Sequence, residues 1–274
     1  MTAAAPSRLA AFLDYGVAKT LAKLWVNLLA RLPLRRESGV VTSRYGVRMR
    51  ANWEDRTFRY CHYATYGRAL SDYLAAQDRA FIFVDIGANQ GLYSLLAAQN
   101  PHCEAAVAFE PVAATFALLR DNIALNGMGA AIKPVHAAVS LHSGIARIAT
   151  DRAHSGTASL RDATGAGAGG EEIRILGIAG VDTLIDGAPI GGTVPLIVKI
   201  DVEGHEEAVI EALMASAHRG RIAAIFYEVD ERWTDGAAIA CRLGGAGFDR
   251  LTRFGIGRHY DVLAERGDAG PAPE

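Results

Sequence analysis

The sequence predicts an α/β fold: a doubly wound, mostly parallel seven-stranded sheet with an amphipathic helix ahead of it. From about residue 80, short apolar runs alternate with helical patterns, which is how parallel strands joined by crossover helices read. In addition, "FIFVDIGANQG" (81–91) runs from an apolar strand through an acid into a glycine turn. Doubly wound sheets hold ligands beyond such strand ends.

"FIFVDI" (81–86) is the first strand of the alternation, with "LYSLLAAQ" (92–99) as the helix after it. "AAVAFE" (105–110), a helix through "ATFALLRDNIALN" (114–126) and a third strand within "AIKPVHAAV" (131–139) follow. There the rhythm breaks. "GIARIAT" and "IRILGI" flank the glycine- and alanine-rich "DATGAGAGGEE" (162–172), which reads as a loop tip between two sheet-edge segments. Alternation resumes with "PLIVKID" (195–201), the helix "EEAVIEALMAS" (206–216), the strand "RIAAIFYEV" (221–229) and the helix "DGAAIACRLGGA" (235–246). Strands around "FDRLT" (248–252) and "RHYDVLAE" (258–265) close the sheet. The expected division is an N-terminal helical extension over 1–50, a main domain over 51–265 and a disordered tail over 266–274.

A chain of 274 residues, half of them apolar and 21% charged, suits one large globular domain. Its net charge of −2 gives no electrostatic reason to expect a nucleic-acid partner. Cys61, Cys103 and Cys241 lie far apart and form no metal-binding spacing, so free thiols in a reducing, cytoplasmic setting are expected. Near the N-terminus, Leu13, Val17, Leu21, Leu24, Leu28 and Leu32 recur at helical steps. Asp14, Lys19 and Lys23 interrupt them, leaving no run of signal-peptide or membrane-spanning length. Such a helix docks on the main domain or on a second subunit of a homodimer. The other reading is peripheral contact with the inner membrane face through residues 8–36, with Trp25 in the interface.

Gly87 can take backbone angles closed to other residues and lets a ligand approach the main chain, while Gly91 opens the helix. A dinucleotide fingerprint would need glycine at 89 and 92, where Asn89 and Leu92 stand. Asp85 before the turn disfavours a pyrophosphate and suits a cationic, phosphate-free cofactor such as S-adenosyl-L-methionine. Glu110, ending the next strand, can accept two hydrogen bonds from a ribose diol.

With these residues the chain resembles the FkbM family of S-adenosylmethionine-dependent methyltransferases over roughly residues 80–230. "VDIGANQGLYSLLAA" resembles the family's first motif and "AFEP" its ribose-binding acid. "HAAVS" (136–140) is similar to the strand end beside the adenine, and "SGTASL" (155–160), "VDTLID" (181–186) and "YEV" (227–229) to further blocks. "KIDVEGHE" (199–206) is close to the signature K-I-D-x-E-G-x-E. The resemblance implies a class I, Rossmann-like methyltransferase. It would methylate a hydroxyl of a small-molecule or glycan acceptor, such as a sugar or secondary metabolite. Asp85, Gly87, Asn89, Gly91, Glu110, Ala138 and Asp201 would contact the cofactor. The stretch "RYCHYATYGRALSDYL" (59–74) departs from the family in lacking a Tyr-Glu pair.

Methyl transfer from a sulfonium needs alignment and, for a hydroxyl acceptor, a base. Lys199, Asp201, Glu203 and His205 are the catalytic candidates, His205 because an imidazole titrates near neutrality. Each also has a plainer reading. Lys199 can be a buried partner for Asp201 or Glu228, His205 a solvent-facing first-turn residue, and Glu206 a helix N-terminal charge. Asp201, Glu203 and Glu228 are hard oxygen donors of the type that hold a divalent metal, but no clear ligand set is visible and none is expected. His154 and Tyr93 are candidates for the acceptor side. Competing functions are N-methylation, although Asn100-Pro101 continues with His102 and not Pro-Tyr, and a non-catalytic cofactor-binding module. An NAD-dependent oxidoreductase is disfavoured by Asn89 and Leu92.

Overall fold

All six residues of Phe81–Ile86 are buried, and so are all five of Leu196–Ile200, as parallel strands covered on both faces must be. In the computed structural model, residues 18–29, 39–65, 68–148, 170–187, 193–255 and 257–267 are described. Helix α1 (Ala18–Leu29) is followed by a hairpin of β1 (Val40–Thr42) and β2 (Arg48–Arg50), then helices α2 (Arg56–His62) and α3 (Ala69–Ala75). The main alternation runs β3 (Phe81–Ile86), α4 (Leu92–Gln99), β4 (Cys103–Phe109), α5 (Ala113–Leu125) and β5 (Ile132–Val135). Next come β6 (Ala138–Ser140), β7 (Gly144–Ile148), β8 (Glu171–Gly177) and α6 (Ile178–Asp186). The chain ends with β9 (Leu196–Ile200), α7 (Glu206–Met214), β10 (Ile222–Asp230), α8 (Gly236–Gly245), β11 (Arg250–Phe254) and β12 (His259–Glu265).

Seven strands pair in the order β11-β12-β10-β9-β3-β4-β5. β10, β9, β3, β4 and β5 run parallel, and β12 is antiparallel to both β10 and β11. The expected mostly parallel seven-stranded sheet is therefore present. Successive side chains of β3 feed opposite layers: Ile82, Val84 and Ile86 join one core, and Phe81 and Phe83 the other. β3 is the first strand laid down, and the order reverses across it, with β4 and β5 on one side and β9 on the other. The β3–β9 seam is thus the switch point at which such sheets bind ligands.

The third strand lies within 131–139 as expected, at Ile132–Val135. Ala137 N donates to Val135 O (3.0 Å), a tight turn that ends β5, and β6 then leaves for a separate three-stranded sheet, β6-β8-β7. One expectation needs correction: the 1–50 extension is not wholly helical. Arg48–Arg50 pairs antiparallel with Val40–Thr42, and Val41, Val47 and Met49 enter the same core as Phe58 and Phe83. Packing therefore joins this hairpin to the domain expected to start at residue 51. β7 and β8 do pair antiparallel, as the segments flanking the glycine-rich stretch suggested. Residues 8–17 and 30–36, "SGTASL" with His154, most of 162–172 and nearly all of the tail lie outside the described residues.

Asn122 of α5 ties the hairpin to the glycine turn. Fully buried, it accepts from Arg50 N (2.8 Å) and donates to Gln90 O (2.8 Å). Asn122→Ala takes this partner from the buried Gln90 carbonyl, at about 1–3 kcal/mol, and from the part-buried Arg50 N–H, at less. Its thermal midpoint is expected to fall by several degrees or more in a calorimetric melt. An unchanged midpoint would mean that the hairpin is not tied to the turn through this residue.

Candidate active site

Register sets the centre of the site. β3 and β9 pair so that Asp85 lies beside Lys199, and both are almost wholly buried. The Lys199 ammonium is 3.3 Å from Asp85 Oδ1 and 3.6 Å from Asp201 Oδ2, and it donates to Gly87 O (2.5 Å). Burial works to lower the Lys199 pKa, but Asp85 and Asp201 outweigh it and hold the group above its ordinary value. Asp85 Oδ2 accepts from Ser94 Oγ (2.7 Å). The charge of Asp85 is thus met inside the protein by Lys199 and Ser94. Of the two partners expected for Lys199, Asp201 is one, while Glu228 bonds elsewhere.

Gly87 has φ +78°, and a Cβ there would stand 1.9 Å from Asp201 O. One approach that excludes a side chain at Gly87 is therefore made by the turn after β9. Asn89 and Gly91 also have positive φ, which asparagine tolerates better than most residues. Glu110, 5% exposed, holds this turn: Oε2 accepts from Asn89 N (3.0 Å) and Oε1 from Val112 N (2.9 Å). Burial pushes its pKa up to about 7 against those two bonds. Each oxygen keeps a further lone pair for a diol. Ala138 begins β6 and packs with Val112, Ile148 and Ile173 beyond Glu110.

On the other side of Lys199 a pocket is lined by Asp201, Glu203, Glu228, Tyr93, Phe226 and Asp261, with Lys23, Arg56, Thr57 and Tyr60 facing them. Pairing of β10 with β12 puts Glu228 opposite Asp261 and brings His259 to the same wall. His259 Nε2 is 2.6 Å from Glu228 Oε1. That bond raises the His259 pKa, although burial opposes it, while burial and the Asp201 charge raise that of Glu228. One side-chain oxygen from each of Asp201, Glu203 and Glu228 lies within 4.8 Å of the others. They are hard donors of the kind that hold a divalent cation, although Glu228 is already bonded to His259.

Residues 85–267 match the family described as Methyltransferase FkbM domain, more than half of the chain. The chain belongs to the FkbM methyltransferase family. The match runs beyond the 230 at which the sequence resemblance ended and takes in β12 with His259. No curated protein matches the chain. Among solved structures, the METTL16 methyltransferase domain aligns at 13% identity over 91% of this chain and 79% of its own, with a TM-score of 0.45. The precorrin-6Y C5,15-methyltransferase of Geobacter metallireducens aligns at 14% identity over 73% and 88%, with a TM-score of 0.42. TrmK of M. capricolum, solved with S-adenosyl-homocysteine, aligns at 10% over 74% and 70%, with a TM-score of 0.44.

In this FkbM-family methyltransferase the "KIDVEGHE" block folds as a ligand-side turn. Glu203 and Gly204 both have positive φ, a strained conformation for the glutamate. Glu206 is 2% exposed and accepts from Gly204 N (2.9 Å), so it closes the turn from within and is more than a helix N-terminal charge. His205 does not join the pocket wall. It caps the start of α7 with its ring 3.4 Å from Ser140 Oγ in β6, and burial lowers its pKa. Tyr93 does line the pocket, and burial holds its hydroxyl well above the ordinary range. Sequence reading missed His259, Asp261, Arg56, Thr57 and Tyr60. Only the antiparallel pairing of β12 and the cap of α2 bring them here. A usable signal for α2 was Asp55 as a helix N-cap, since Asp55 accepts from Thr57 N and Phe58 N and also from Gln90 of the glycine turn.

Lys199→Met should destabilise the protein by about 3–5 kcal/mol in urea unfolding, because Asp85 is left charged and buried. Asp85→Asn added to it should recover part of that loss, and strictly additive effects would mean the two do not interact. Proton titrations followed by NMR, assigned with His259→Gln and His205→Gln, should place His259 above and His205 below the ordinary imidazole value. The stability contributed by the His259–Glu228 bond is then present below that ordinary value and lost as pH rises through the raised pKa. A His259 that titrates normally would mean the bond is absent in solution.

Proposed function

We propose that this methyltransferase uses S-adenosyl-L-methionine as donor and methylates a hydroxyl oxygen of a small-molecule or glycan acceptor. The observation that carries the reading is the division of the switch point by the buried Lys199. On one side lie the glycine turn and Glu110, and on the other a pocket rich in carboxylates. When bound, the cofactor supplies a methyl group already activated on a sulfonium. The residues are compatible with it: Glu110, at a strand end, keeps lone pairs for a ribose diol, Ala138 in its apolar cluster would lie toward the adenine, and the turn over 87–91 with Asp201 would hold the methionine end.

The acceptor pocket supports a hydroxyl. Asp201, Glu203, Glu228 and Asp261 repel an anionic reacting group and accept hydrogen bonds from neutral hydroxyls. Both ring nitrogens of His259 face carboxylates, Nε2 that of Glu228 (2.6 Å) and Nδ1 that of Asp230 (3.5 Å). Glu228, which lines the pocket and whose pKa is raised by burial and the Asp201 charge, is therefore a better-placed base for the hydroxyl proton than His205. Lys199 and Asp201 hold the strand-end turns in register for the transfer and keep the charges of the site paired.

Calorimetric titration with S-adenosylhomocysteine, run in parallel with NAD, tests the reading. Micromolar binding of the first and none of the second is expected, with Glu110→Ala weakening it by about a hundredfold through two lost charge-assisted bonds. The diol favours ionised Glu110, whose carboxyl titrates near 7 before the ligand arrives. Affinity should therefore rise roughly tenfold between about pH 6 and pH 8, with release of a proton. Binding of NAD, or no binding of either ligand, would remove the basis for this donor.

A further inference from the structure

Helix α1 sits on the protein with its polar side inward. Asn27 Nδ2 donates to Tyr60 Oη (3.1 Å), and the Lys23 ammonium lies 5.1 Å from the centre of the Tyr60 ring. Of the apolar residues of its inner face, Val26 is buried at 2% exposure. The outer face carries Leu21, Leu24, Trp25 and Leu28 at 61, 61, 60 and 52% exposure. These positions follow steps of three and four, so they form one continuous apolar stripe. A stripe of this size on a helix marks a surface that is covered by something else.

The sequence around the stripe says by what. Flanking the stripe in sequence stand the bases Lys19, Arg31, Arg35 and Arg36, bounded by Asp14 and Glu37, while Lys23 turns inward to the pocket; the chain's net charge is −2. A second copy docked symmetrically through this face would set that basic segment against itself. An anionic bilayer complements it, each nearby base contributing about 1 kcal/mol, and a tryptophan within the stripe suits the headgroup level. Among the described residues no helix is long and apolar enough to cross a membrane, so the contact is interfacial.

The same helix forms part of the pocket rim. Lys23 lines the pocket with Asp201, Glu203 and Glu228, while Leu24 and Trp25, the next two residues, face outward. We propose that α1 docks this protein on an anionic lipid surface, and that the acceptor is an amphiphile whose hydroxylated head enters the pocket from that surface. The docking face stands on the helix alone; the amphiphilic acceptor rests on the methyl-transfer reading above.

The test is co-sedimentation of the full chain with vesicles of phosphatidylcholine, with and without phosphatidylglycerol, alongside S-adenosylhomocysteine titration and equilibrium ultracentrifugation. Partition onto the anionic vesicles is expected, falling as salt rises. The double variant Leu24→Glu, Trp25→Glu should reduce it by roughly tenfold or more while S-adenosylhomocysteine affinity stays unchanged, which shows that the fold is intact. A chain that stays in the supernatant with both vesicles, or a dimer in solution that the double variant splits, overturns the docking proposal. Partition without S-adenosylhomocysteine binding leaves the docking face standing and removes the amphiphilic acceptor together with the donor reading.

Discussion

The buried ammonium of Lys199 is the contact on which the rest of the site depends. It faces two carboxylates, Asp85 and Asp201, and a main-chain carbonyl, Gly87 O, from the ends of two neighbouring strands, β3 and its own β9. An ion removed from water this completely is stable only when its charges and hydrogen bonds are met nearby. The requirement runs in both directions: without Lys199 the two acids would repel each other, and without them the lysine would lose its proton. Because Asp85 and Gly87 end β3 while Lys199 and Asp201 end β9, the cluster also ties those two strand ends together. The seam between those strands is thereby both the most strongly constrained part of the sheet and the place where its order reverses.

That constraint explains the backbone around it. Gly87 has no room for a side chain because the Asp201 carbonyl crosses directly above it, and the close crossing is what lets the lysine reach both loops. Asn89 takes a left-handed conformation beside it, and Glu110 clamps the resulting N–H. On the β9 side, Glu206 does the same from below by accepting from Gly204. Two buried glutamates thus hold two turns whose side chains and main chain face the ligand side. Burial has pushed both pKa values upward. Such acids bind hydrogen-bond donors strongly on becoming charged, which gives the turns stiffness without closing them to a ligand.

Much of this frame was legible in the residues. Strands such as "FIFVDI" and "PLIVKID" announce themselves because burial on both faces leaves charged residues only near the carboxyl end, where Asp85, Lys199 and Asp201 are then conspicuous. The positions of Asp85, Gly87, Glu110, Lys199 and Asp201 follow from strand ends, and the structure gathers them at the seam or beside it. What was not legible depends on pairing between distant segments. His259 meets Glu228 only because β12 returns antiparallel to β10, a register that no local pattern encodes. His205 looked like a base because an imidazole titrates near neutrality and it follows the β9 strand end, yet the turn sets its ring 3.4 Å from Ser140 Oγ in β6. The hairpin over 40–50 was hidden because its strands are three residues long, too short for an alternation to stand out.

The orientation of α1 follows from the same demand for polar walls. An amphipathic helix has one polar face and one apolar face, and packing on a core ordinarily turns the apolar one inward. Here the surface offered by α2 is the hydroxyl and ring of Tyr60 at the rim of a polar pocket, and it is met by Asn27 and Lys23. Once the polar face lines the pocket, geometry leaves Leu21, Leu24, Trp25 and Leu28 on the outside. Their exposure is the counterpart of the helix's contribution to the site. A change that turned the helix over would bury the leucines but strip the pocket of Lys23, so the apolar surface and the polar rim stand or fall together.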